Sequence, residues 1–313
     1  MPDMLKHDVL VIGSLNADLV VRAPHFPQPG ETISGDDLHI IPGGKGANQA
    51  VAAARQGANV AMAGRVGKDS FGPFLIESLK SNHVHTSHVL TDESATGTAI
   101  IVVDSSGQNS IVLSAGANGK VFPADVESVS KLNPSLILLQ LEIPIPTVLH
   151  AAQYAKQKEI RVILNPAPAQ PIPDELISLT DFIIPNETEL SLLTGLEVKD
   201  ISSAERAAKI LLDHGAKNVI VTLGDKGALF ASHNQVTQVD AFKVDVIDTT
   251  AAGDAFIGGF ASALLRGVEI VEAVKYANAC GALATTKFGA QPSLPRKEET
   301  ERFMSMREGP QLR

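Results

Sequence analysis

The stretch that decides the fold is residues 135–224, in which strand-like segments alternate with helix-like ones. Four short apolar runs recur there, "SLILLQ" (135–140), "RVILNP" (161–166), "DFIIPN" (181–186) and "NVIVTLG" (218–224). Each run has the length of a buried strand and ends in polar or turn-forming residues. The segments between them have helical periodicity. This alternation predicts βαβ units, and therefore an α/β fold with a central, mostly parallel sheet flanked by helices.

The chain upstream of this stretch contains the first strand of that sheet and the parts of a second, smaller sheet. "DVLVIG" (8–13) is a buried strand ended by a glycine. Three short β-rich segments follow it, "ADLVVRA" (17–23), "GETISGD" (30–36) and "LHIIP" (38–42). A hairpin turning at "SSGQ" (105–108) lies further on. We predict one α/β domain over 1–313, with a small β lid formed by about 16–42, itself antiparallel, and 97–115.

Composition excludes several function classes. The chain has 313 residues, of which 44% are apolar and 19% charged, as in an ordinary globular protein. A formal net charge of -9 argues against nucleic acid or an anionic membrane as a partner. Cys280 is the single cysteine, which fits a reducing compartment. The first residues lack the long apolar region of a signal peptide, so we expect a cytoplasmic protein.

"VIDTTAAGDAFIGGF" (246–260) places one acid, Asp254, after a tract of very small residues. The simpler interpretation is that Asp254 caps the helix that follows. However, Thr249–Gly253 leave their backbone N–H groups uncovered at a helix N-terminus, which is a typical site for an anion. A carboxylate there repels a phosphate, but it can accept a proton from a hydroxyl that attacks the phosphate. This context favours Asp254 as a general base beside a backbone anion hole at 251–254.

"PGGKGANQA" (42–50) is a glycine-rich entry to an Ala-rich helix. It is not a Walker A loop, because Gly46 follows Lys45 where that motif has Ser or Thr. Its glycines still let the backbone and the lysine ammonium approach a polar ligand. Asn48 lies one turn inside a helix built for packing, where its amide needs a partner.

Polar residues also follow several predicted strands. Asn16 and Asp18 come after the first strand, and Glu142 follows "SLILLQ". Ligands of open α/β sheets bind at the carboxyl ends of strands, although Asn and Asp also form turns there. In "PNETE" (185–189), Asn186 and Glu189 have the spacing of a capping box, and an equal alternative is metal or phosphate binding.

Seven motifs taken together resemble the ribokinase-like (PfkB) carbohydrate kinase family. They are "GSLNAD" (13–18), "GGKGANQA" (43–50), "NPAPA" (165–169), "PNETE" (185–189), "TLGDKG" (222–227), "DTTAAGDAF" (248–256) and "KFGAQPSLP" (287–295). The likeness extends from about Val9 to Phe303, and two of the motifs match the signature regions of the family. The resemblance implies a β lid that closes a sugar site and forms a homodimer contact.

The resemblance also implies a reaction, in which the γ-phosphoryl group of ATP passes to the 5-hydroxyl of D-ribose with Asp254 as the base. It implies Mg²⁺ with ATP and K⁺ as an activating cation. The residues implied for the sugar are Asn16, Asp18, Gly44, Lys45, Asn48, Glu142 and Asp254. Those implied for ATP are Asn186, Thr222, Gly224, Gly227, Gly253 and Asn278, with Glu189 for magnesium and phosphate placement. Those implied for the monovalent cation, largely through carbonyl oxygens, are Asp248, Thr250, Ala284, Lys287, Gly289 and Ser293.

Two alternatives remain open from the sequence. One is a deoxyribokinase, or another pentose or nucleoside kinase of the same fold; Asn16 and Asp18 favour ribose because both can bond ring hydroxyls. The other is a catalytically silent sugar-binding regulator. The presence of Lys45, Gly253 and Asp254 argues against that second alternative.

Overall fold

The structure, a computed structural model, describes residues 7–129 and 131–307; the rest of the predicted domain 1–313 lies outside the described residues. The strands are, in chain order, β1 (Val9–Ile12), β2 (Asn16–Arg22), β3 (His39–Gly43), β4 (Val60–Gly67), β5 (His85–Asp92), β6 (Gly97–Val103), β7 (Asn109–Ser114), β8 (Leu136–Leu139), β9 (Arg161–Leu164), β10 (Phe182–Ile183), β11 (Asn218–Thr222), β12 (Ala228–Ser232) and β13 (Val236–Val239). The helices are α1 (Lys45–Arg55), α2 (Phe71–Ser81), α3 (Pro123–Ser128), α4 (Ile145–Gln157), α5 (Asp174–Ser178), α6 (Glu187–Thr194), α7 (Ile201–Asp213), α8 (Ala252–Leu265), α9 (Ile270–Thr285) and α10 (Lys297–Arg307).

The large sheet has nine strands in the order β13-β12-β11-β10-β9-β8-β1-β4-β5. All neighbours from β5 to β11 are parallel, and β12 and β13 add an antiparallel edge. Its central strands are fully buried, as their unbroken apolar runs require for a sheet covered on both faces. The predicted α/β fold, with a mostly parallel sheet between helices and a small separate sheet, is confirmed.

Two apolar cores lie on opposite faces of the large sheet. One contains side chains of α1, α2, α8 and α9, and the other contains side chains of α3, α4, α5, α6 and α7. In the first core, α1 and α8 approach closely because their facing residues are small. A Cβ atom added to Gly258 would lie 2.4 Å from the Cβ of Ala52. This close approach brings the first turns of α1 and α8 together.

The order of the strands fixes where a ligand can bind. The chain moves from β1 to β4 on one side and later to β8 on the other, so the connections diverge between β1 and β8. A crevice forms outside the carboxyl ends of the strands at such a switch point. Ser14 follows β1 and Glu142 follows β8, and the Ser14 hydroxyl donates to Glu142 Oε2 at 2.5 Å. The predicted residues Asn16, Asp18 and Glu142 therefore start from this crevice.

The small sheet has four strands in the order β3-β2-β6-β7, within the two segments predicted for it. The antiparallel pairing predicted within each segment is found, in β2 with β3 and in β6 with β7, and a parallel pair, β2 with β6, joins the two segments. These two strands leave the large sheet directly after β1 and β5, which point the same way. "GETISGD" (30–36), predicted to be β-rich, forms no strand. Most of that segment is exposed, and no ladder partner faces it among the residues that the structure describes.

The two faces of the small sheet differ. Val20, Ile41 and Ile101 on the inner face pack against Ala290. A row of paired aliphatic residues crosses the outer face, where Ile40, Ile100 and Val112 are 47%, 50% and 63% exposed. No helix within residues 7–129 and 131–307 is long and apolar enough to cross a membrane.

Candidate active site

Asp254 lies in the first turn of α8 and is 5% exposed. Its Oδ2 accepts a hydrogen bond from Asn48 Nδ2 at 2.9 Å, and its Oδ1 accepts one from Gln49 Nε2 at 3.0 Å. Both amides come from the first turn of α1, which the contact of Ala52 with Gly258 brings alongside. Burial raises the pKa of Asp254, while the Lys45 ammonium and the two amides oppose that rise. The group is thus a carboxylate held in place, with more proton affinity than an exposed one.

Lys45 supplies the positive charge of the site. Burial alone would lower the pKa of its ammonium, but the carboxylates around it outweigh burial and raise the pKa. These carboxylates belong to Asp254, Glu142, Glu189 and Asp18. The backbone N–H of Lys45 also donates to Glu142 Oε2 at 3.0 Å, so Glu142 connects the loop after β8 to the start of α1. One permanent cation therefore stands among four acids.

Asp18 is a second buried acid of the site, and its carboxyl group is strongly perturbed. It is 7% exposed on β2, and burial, then Glu142 and Asp254, raise its pKa to about 7. No hydrogen-bond donor reaches its carboxylate within the described part of the chain. Gly43 on the neighbouring strand makes room for it, since a Cβ there would lie 2.1 Å from Asp18 Oδ2. An acid without a partner at the wall of a cavity is suited to bind a hydroxyl.

Asn16 is oriented by Asn118, a residue that the sequence analysis did not identify. Asn118 Nδ2 donates to Asn16 Oδ1 at 2.7 Å and to the Leu15 carbonyl at 3.0 Å, and its Oδ1 accepts the Leu15 N–H at 2.9 Å. Because the Asn16 oxygen is engaged, its Nδ2 is directed toward Glu142, 3.5 Å away. Asn16 therefore offers a donor beside two acids.

Gly44 allows this group of residues to come together. It has φ +87°, a left-handed conformation that favours glycine, and a Cβ would lie 2.7 Å from the Asn16 N atom. Asn48 Oδ1 is buried and has no partner among the described atoms. A buried acceptor without a donor costs free energy, so a ligand hydroxyl donating there would be favoured. The predicted sugar residues are thus brought to one place.

A cavity of about 200 Å³ adjoins Asp254. Six of the residues that line it are Lys45, Asn165, Asn186, Thr222, Gly253 and Asp254. Ala251, at φ +59°, precedes α8, and the first N–H groups of a helix have no intrahelical carbonyl to bond. A Cβ on Gly253 would meet nothing within 4 Å, so space is open where these donors point. The residues 251–254 fit an anion such as a phosphoryl group.

Asn186 and Glu189 form the capping box that their spacing predicted. Asn186 Oδ1 accepts the Glu189 N–H at 2.8 Å, and Glu189 Oε2 accepts the Asn186 N–H at 2.9 Å. Both residues also line the small cavity, and burial raises the pKa of Glu189. The capping role and a role at the phosphates are therefore compatible, and the second stays a prediction.

Of the residues predicted for ATP, Asn186, Thr222 and Gly253 line this cavity, and Gly224, Gly227 and Asn278 do not. Thr222 ends β11 and lines it, and Gly224 follows with φ +58° and free space beside it. Gly227, at φ +92°, has a structural reason of its own, because a Cβ would lie 2.1 Å from the Val239 carbonyl oxygen. Asn278 Nδ2 already donates to the carbonyls of Val239 and Asp240. A contact of Asn278 with adenosine stays a prediction. The side-chain oxygen would have to make it, because the nitrogen is engaged.

The residues predicted for a monovalent cation surround the loop before α8. Asp248 Oδ1 accepts from the N–H and the hydroxyl of Thr250, and its Oδ2 accepts from the Gly289 N–H at 2.9 Å. Lys287 donates its ammonium to Glu299 at 2.7 Å, so its charge is engaged with α10 rather than placed in the loop. The remaining two, Ala284 and Ser293, are buried. The set fits a cation held by carbonyl oxygens, which stays a prediction.

A larger cavity of about 960 Å³ lies between the small sheet and this loop. Asp18, Arg22 and Ile101 line it from the sheet, and Asp248 and Gly289 line it from the other side. Of the polar cluster formed by Asn16, Asp18 and Glu142, Asp18 is the member that lines this cavity.

Sequence reasoning missed the amides that support Asp254. Gln49 donates to Asp254, Gln140 donates to Gln49, and Asn165 accepts from Gln49. A signal was present, since Gln140 directly follows the apolar strand "LILL" and Gln49 stands in an Ala-rich helix. A buried amide in such surroundings needs partners.

The fold and the site together define an enzyme that transfers a phosphoryl group to a hydroxyl. The family model for pfkB family carbohydrate kinases matches residues 6–297. The chain belongs to this family, and it is an ATP-dependent sugar kinase.

Individual proteins similar to this chain include ribokinases and a deoxyribokinase. The chain is similar to the ribokinase of Haemophilus influenzae, at 45% identity over 303 residues that cover 96% of this chain and 99% of the relative. It is also similar to the deoxyribokinase of Salmonella typhi, at 39% identity over 96% of this chain and 100% of the relative. A solved structure of Arabidopsis thaliana ribokinase complexed with ribose and ATP superposes with a TM-score of 0.88, at 34% identity over 96% of this chain and 99% of that one.

Proposed function

We propose that the chain transfers the γ-phosphoryl group of ATP to the 5-hydroxyl of D-ribose, giving D-ribose 5-phosphate and ADP. The observation that carries the proposal is the position of Asp254. Its carboxylate is close enough to Asp18 and Glu142 of the polar cluster to interact with their charges, and it also lines the cavity at Gly253. A sugar on one side and a phosphate on the other would meet at this carboxylate.

The chemistry assigned to each group follows from its position. The 5-hydroxyl oxygen forms a bond to the γ-phosphorus, the bond from that phosphorus to the bridging oxygen of ADP breaks, and the hydroxyl proton passes to Asp254. The N–H groups at 251–254 and the Lys45 ammonium stabilise the charge on the transferring oxygens. Because such a transition state is loose, positioning and charge stabilisation supply most of the rate.

Mg²⁺ with ATP fits the charges of the small cavity. Asp254 and Glu189 both line it, and Lys45 is the cation facing them. Nucleotide phosphates entering there would need further positive charge, which a Mg²⁺ ion bound with ATP would supply. Asn186 and Glu189 are the residues placed to orient it.

K⁺ is proposed as an activator at the loop of Asp248. Thr250, Gly289 and Ala284 would hold the ion largely through carbonyl oxygens, with Lys287 and Ser293 completing the set. An ion held there would fix the loop that leads to the donors at 251–254. It would act on turnover without touching the sugar.

Two further proposals concern assembly and location. The exposed aliphatic row of Ile40, Ile100 and Val112 supports a homodimer through the small sheet, because apolar residues in one contiguous row are typical of an interface. The single cysteine and the net charge of -9 support a cytoplasmic enzyme with small-molecule partners rather than nucleic acid or membrane.

The first test compares sugars in a coupled kinase assay. We expect kcat/KM for D-ribose to exceed that for 2-deoxy-D-ribose by roughly 5- to 150-fold, because loss of the 2-hydroxyl leaves a buried polar group unpaired. An equal or higher value for 2-deoxy-D-ribose would favour the deoxyribokinase alternative, which the Salmonella typhi relative represents. Binding of ribose without any sugar-dependent release of ADP would instead indicate a silent regulator.

A further inference from the structure

Gln49 and Gln140 form a hydrogen-bonded chain of amides beneath Asp254, and the proposed chemistry gives neither of them a role. Both side chains are 0% exposed. Gln49 Nε2 donates to Asp254 Oδ1 at 3.0 Å and to Asn165 Oδ1 at 3.1 Å. Gln49 Oε1 accepts from Gln140 Nε2 at 2.6 Å. This chain of hydrogen bonds therefore runs from the end of β8, through α1, to the carboxylate on α8.

The contacts fix which end of each amide faces the carboxylate. An amide turned by 180° would direct Gln49 Oε1 at Asp254, where oxygen repels oxygen. Gln140 prevents this by donating to Gln49 Oε1. Asn165 is fixed in the same sense, because its Nδ2 donates to the Ile184 carbonyl at 3.1 Å and leaves its oxygen toward Gln49.

Gln140 is itself held by the backbone around it. Gly13 directly follows β1, and a Cβ there would lie 2.2 Å from Gln140 Oε1. The amide oxygen therefore occupies the space that a side chain at position 13 would fill. That oxygen has no partner among the described atoms. An unpaired buried acceptor costs free energy. Gln140 accepts this cost in the orientation in which its Nε2 donates to Gln49.

We propose that Gln49 and Gln140 are positioning residues, which hold the Asp254 carboxylate in one orientation and keep it ionised for proton transfer. The inference rests on the proposed role of Asp254 as the base. Neither glutamine touches the reacting atoms. Gln49 acts by donating directly to Asp254, and Gln140 acts through Gln49.

The charges around Asp254 make this support necessary. Burial raises its pKa, and so does Glu142, whereas Lys45, Gln49 and Asn48 lower it. Asp18 on β2 and Glu189 on α6 are further acids that face it. Without the donor from Gln49, burial and the neighbouring acids face less opposition. The carboxylate would then take up a proton at a higher pH and lose its function as a base below that pH.

The test compares Gln49→Met and Gln140→Met with the wild type in kcat and kcat/KM from acid to neutral pH. Methionine keeps the length of the side chain and removes the amide. We expect Gln49→Met to lower kcat by roughly 10- to 100-fold, the scale of a hydrogen bond to a charged group. The acidic limb should move to higher pH and KM for the sugar should change little. Gln140→Met should act in the same direction but less. Because it leaves every donor to Asp254 in place, it still tests the inference if Gln49→Met does not fold.

Gln56→Met is the matched control. Gln56 lies at the end of α1, is 1% exposed, and bonds Pro295, Thr300 and Tyr276 rather than the site. Its replacement removes an equally buried amide, so it should cost stability without moving the acidic limb. Unchanged kcat and pH profile in Gln49→Met, or an equal change in Gln56→Met, would overturn the inference.

A direct titration separates this inference from the proposed function. The carboxyl ¹³C signal of Asp254 is identified by its loss in Asp254→Asn and titrated in wild type, Gln49→Met and Gln140→Met. An upward shift of the midpoint in both variants supports the inference whichever sugar is phosphorylated. If the wild type phosphorylates no sugar, the proposed function fails, while this titration still decides the role of the two glutamines.

Discussion

Asp254 and Asp248 stand six residues apart on either side of one loop, and they are held in opposite ways. Asp254 receives its hydrogen bonds from side-chain amides of another helix, Asn48 and Gln49. Asp248 receives its bonds from the loop itself, through Thr250, and from the Gly289 N–H. The first carboxylate is positioned by the packing of α1 on α8. The second positions the chain around it.

Asp18 is a third case, since no donor reaches its carboxylate within the described residues. Its pKa of about 7 reflects burial beside Glu142 and Asp254 without a compensating hydrogen bond. The comparison distinguishes three ways of holding a carboxylate, which we propose serve a reaction, a loop and a ligand. Which of these it serves depends on where its hydrogen-bond donors come from.

The largest expected effect is that of Asp254→Asn. Removing the base should lower kcat by roughly 10²- to 10⁴-fold, while the fold and ATP binding are retained because Asn keeps the volume of the side chain. Steady-state kinetics and calorimetric titration with ATP measure the two quantities. Asp213→Asn, at an exposed position on α7, is the control and should leave kcat unchanged. Near-normal turnover of Asp254→Asn would show that packing holds this carboxylate for another purpose.

A smaller effect on turnover is expected from Asp248→Ala. The change removes the acceptors of Thr250 and Gly289, so the loop before α8 loses its internal bonds. Because preorganised donors contribute a few kcal/mol to such reactions, kcat should fall by roughly 10- to 100-fold. KM for ribose should stay close to the wild-type value.

The K⁺ response sharpens the same comparison. KCl is titrated at constant ionic strength in a buffer free of K⁺ and Na⁺, with a bulky organic counter-ion. Wild-type kcat should rise, and more with K⁺ than with Na⁺, whereas Asp248→Ala should respond weakly. A flat wild-type response would mean that the loop is rigid without an ion and would remove K⁺ from the proposal.

Asp18→Asn should affect stability more than turnover number. The pKa of Asp18 is raised from an ordinary 3.8 to about 7, so the folded state binds more protons than the unfolded state between these values. Its contribution to folding stability therefore falls as pH rises through that window, and the full cost is present above pH 7. At about 1.4 kcal/mol per pKa unit, a rise of about three units corresponds to a cost of roughly 4 kcal/mol.

Urea denaturation of the sugar-free protein at pH 8 and pH 5 checks this expectation. Asp18→Asn should be more stable than the wild type at pH 8, by an amount that shrinks as the pH is lowered toward 4. Its KM for ribose should rise. A wild type that is equally or more stable at pH 8 would show that Asp18 has a donor in solution and belongs with Asp248 in the comparison.

Sequence patterns predicted the large sheet well because its central strands are continuous apolar runs between helical segments. The capping box at Asn186 was likewise predictable, since it depends on residues three apart. "GETISGD" was misassigned because β propensity does not reveal whether a partner strand lies alongside. The parallel pairing of β2 with β6 depends on where the chain leaves the large sheet, which only the topology shows.

The candidate site was partly predictable for a similar reason. Asn16, Asp18 and Glu142 follow strands, and parallel strands end at one edge, so their meeting could be anticipated. Gln49 and Gln140 come from separate segments and meet each other, and Asn118 meets Asn16 in the same way. A single sequence gives no measure of which buried amide faces which carboxylate.

The attachment of the small sheet has a mechanical consequence. Asn16 pairs with Gly43 on one side and Gly97 on the other, and Ser114 pairs with Thr98 close by. These residues are the ends of four strands that all join the rest of the protein along one edge. The small sheet is therefore fixed at that edge and free at the opposite one. Bending must then grow from that clamped edge toward the free tip at 104–108. Asn16 lies at the attached edge and Asp18 only two residues farther out. Both would therefore move little when the sheet bends, while residues 104–108 would move most.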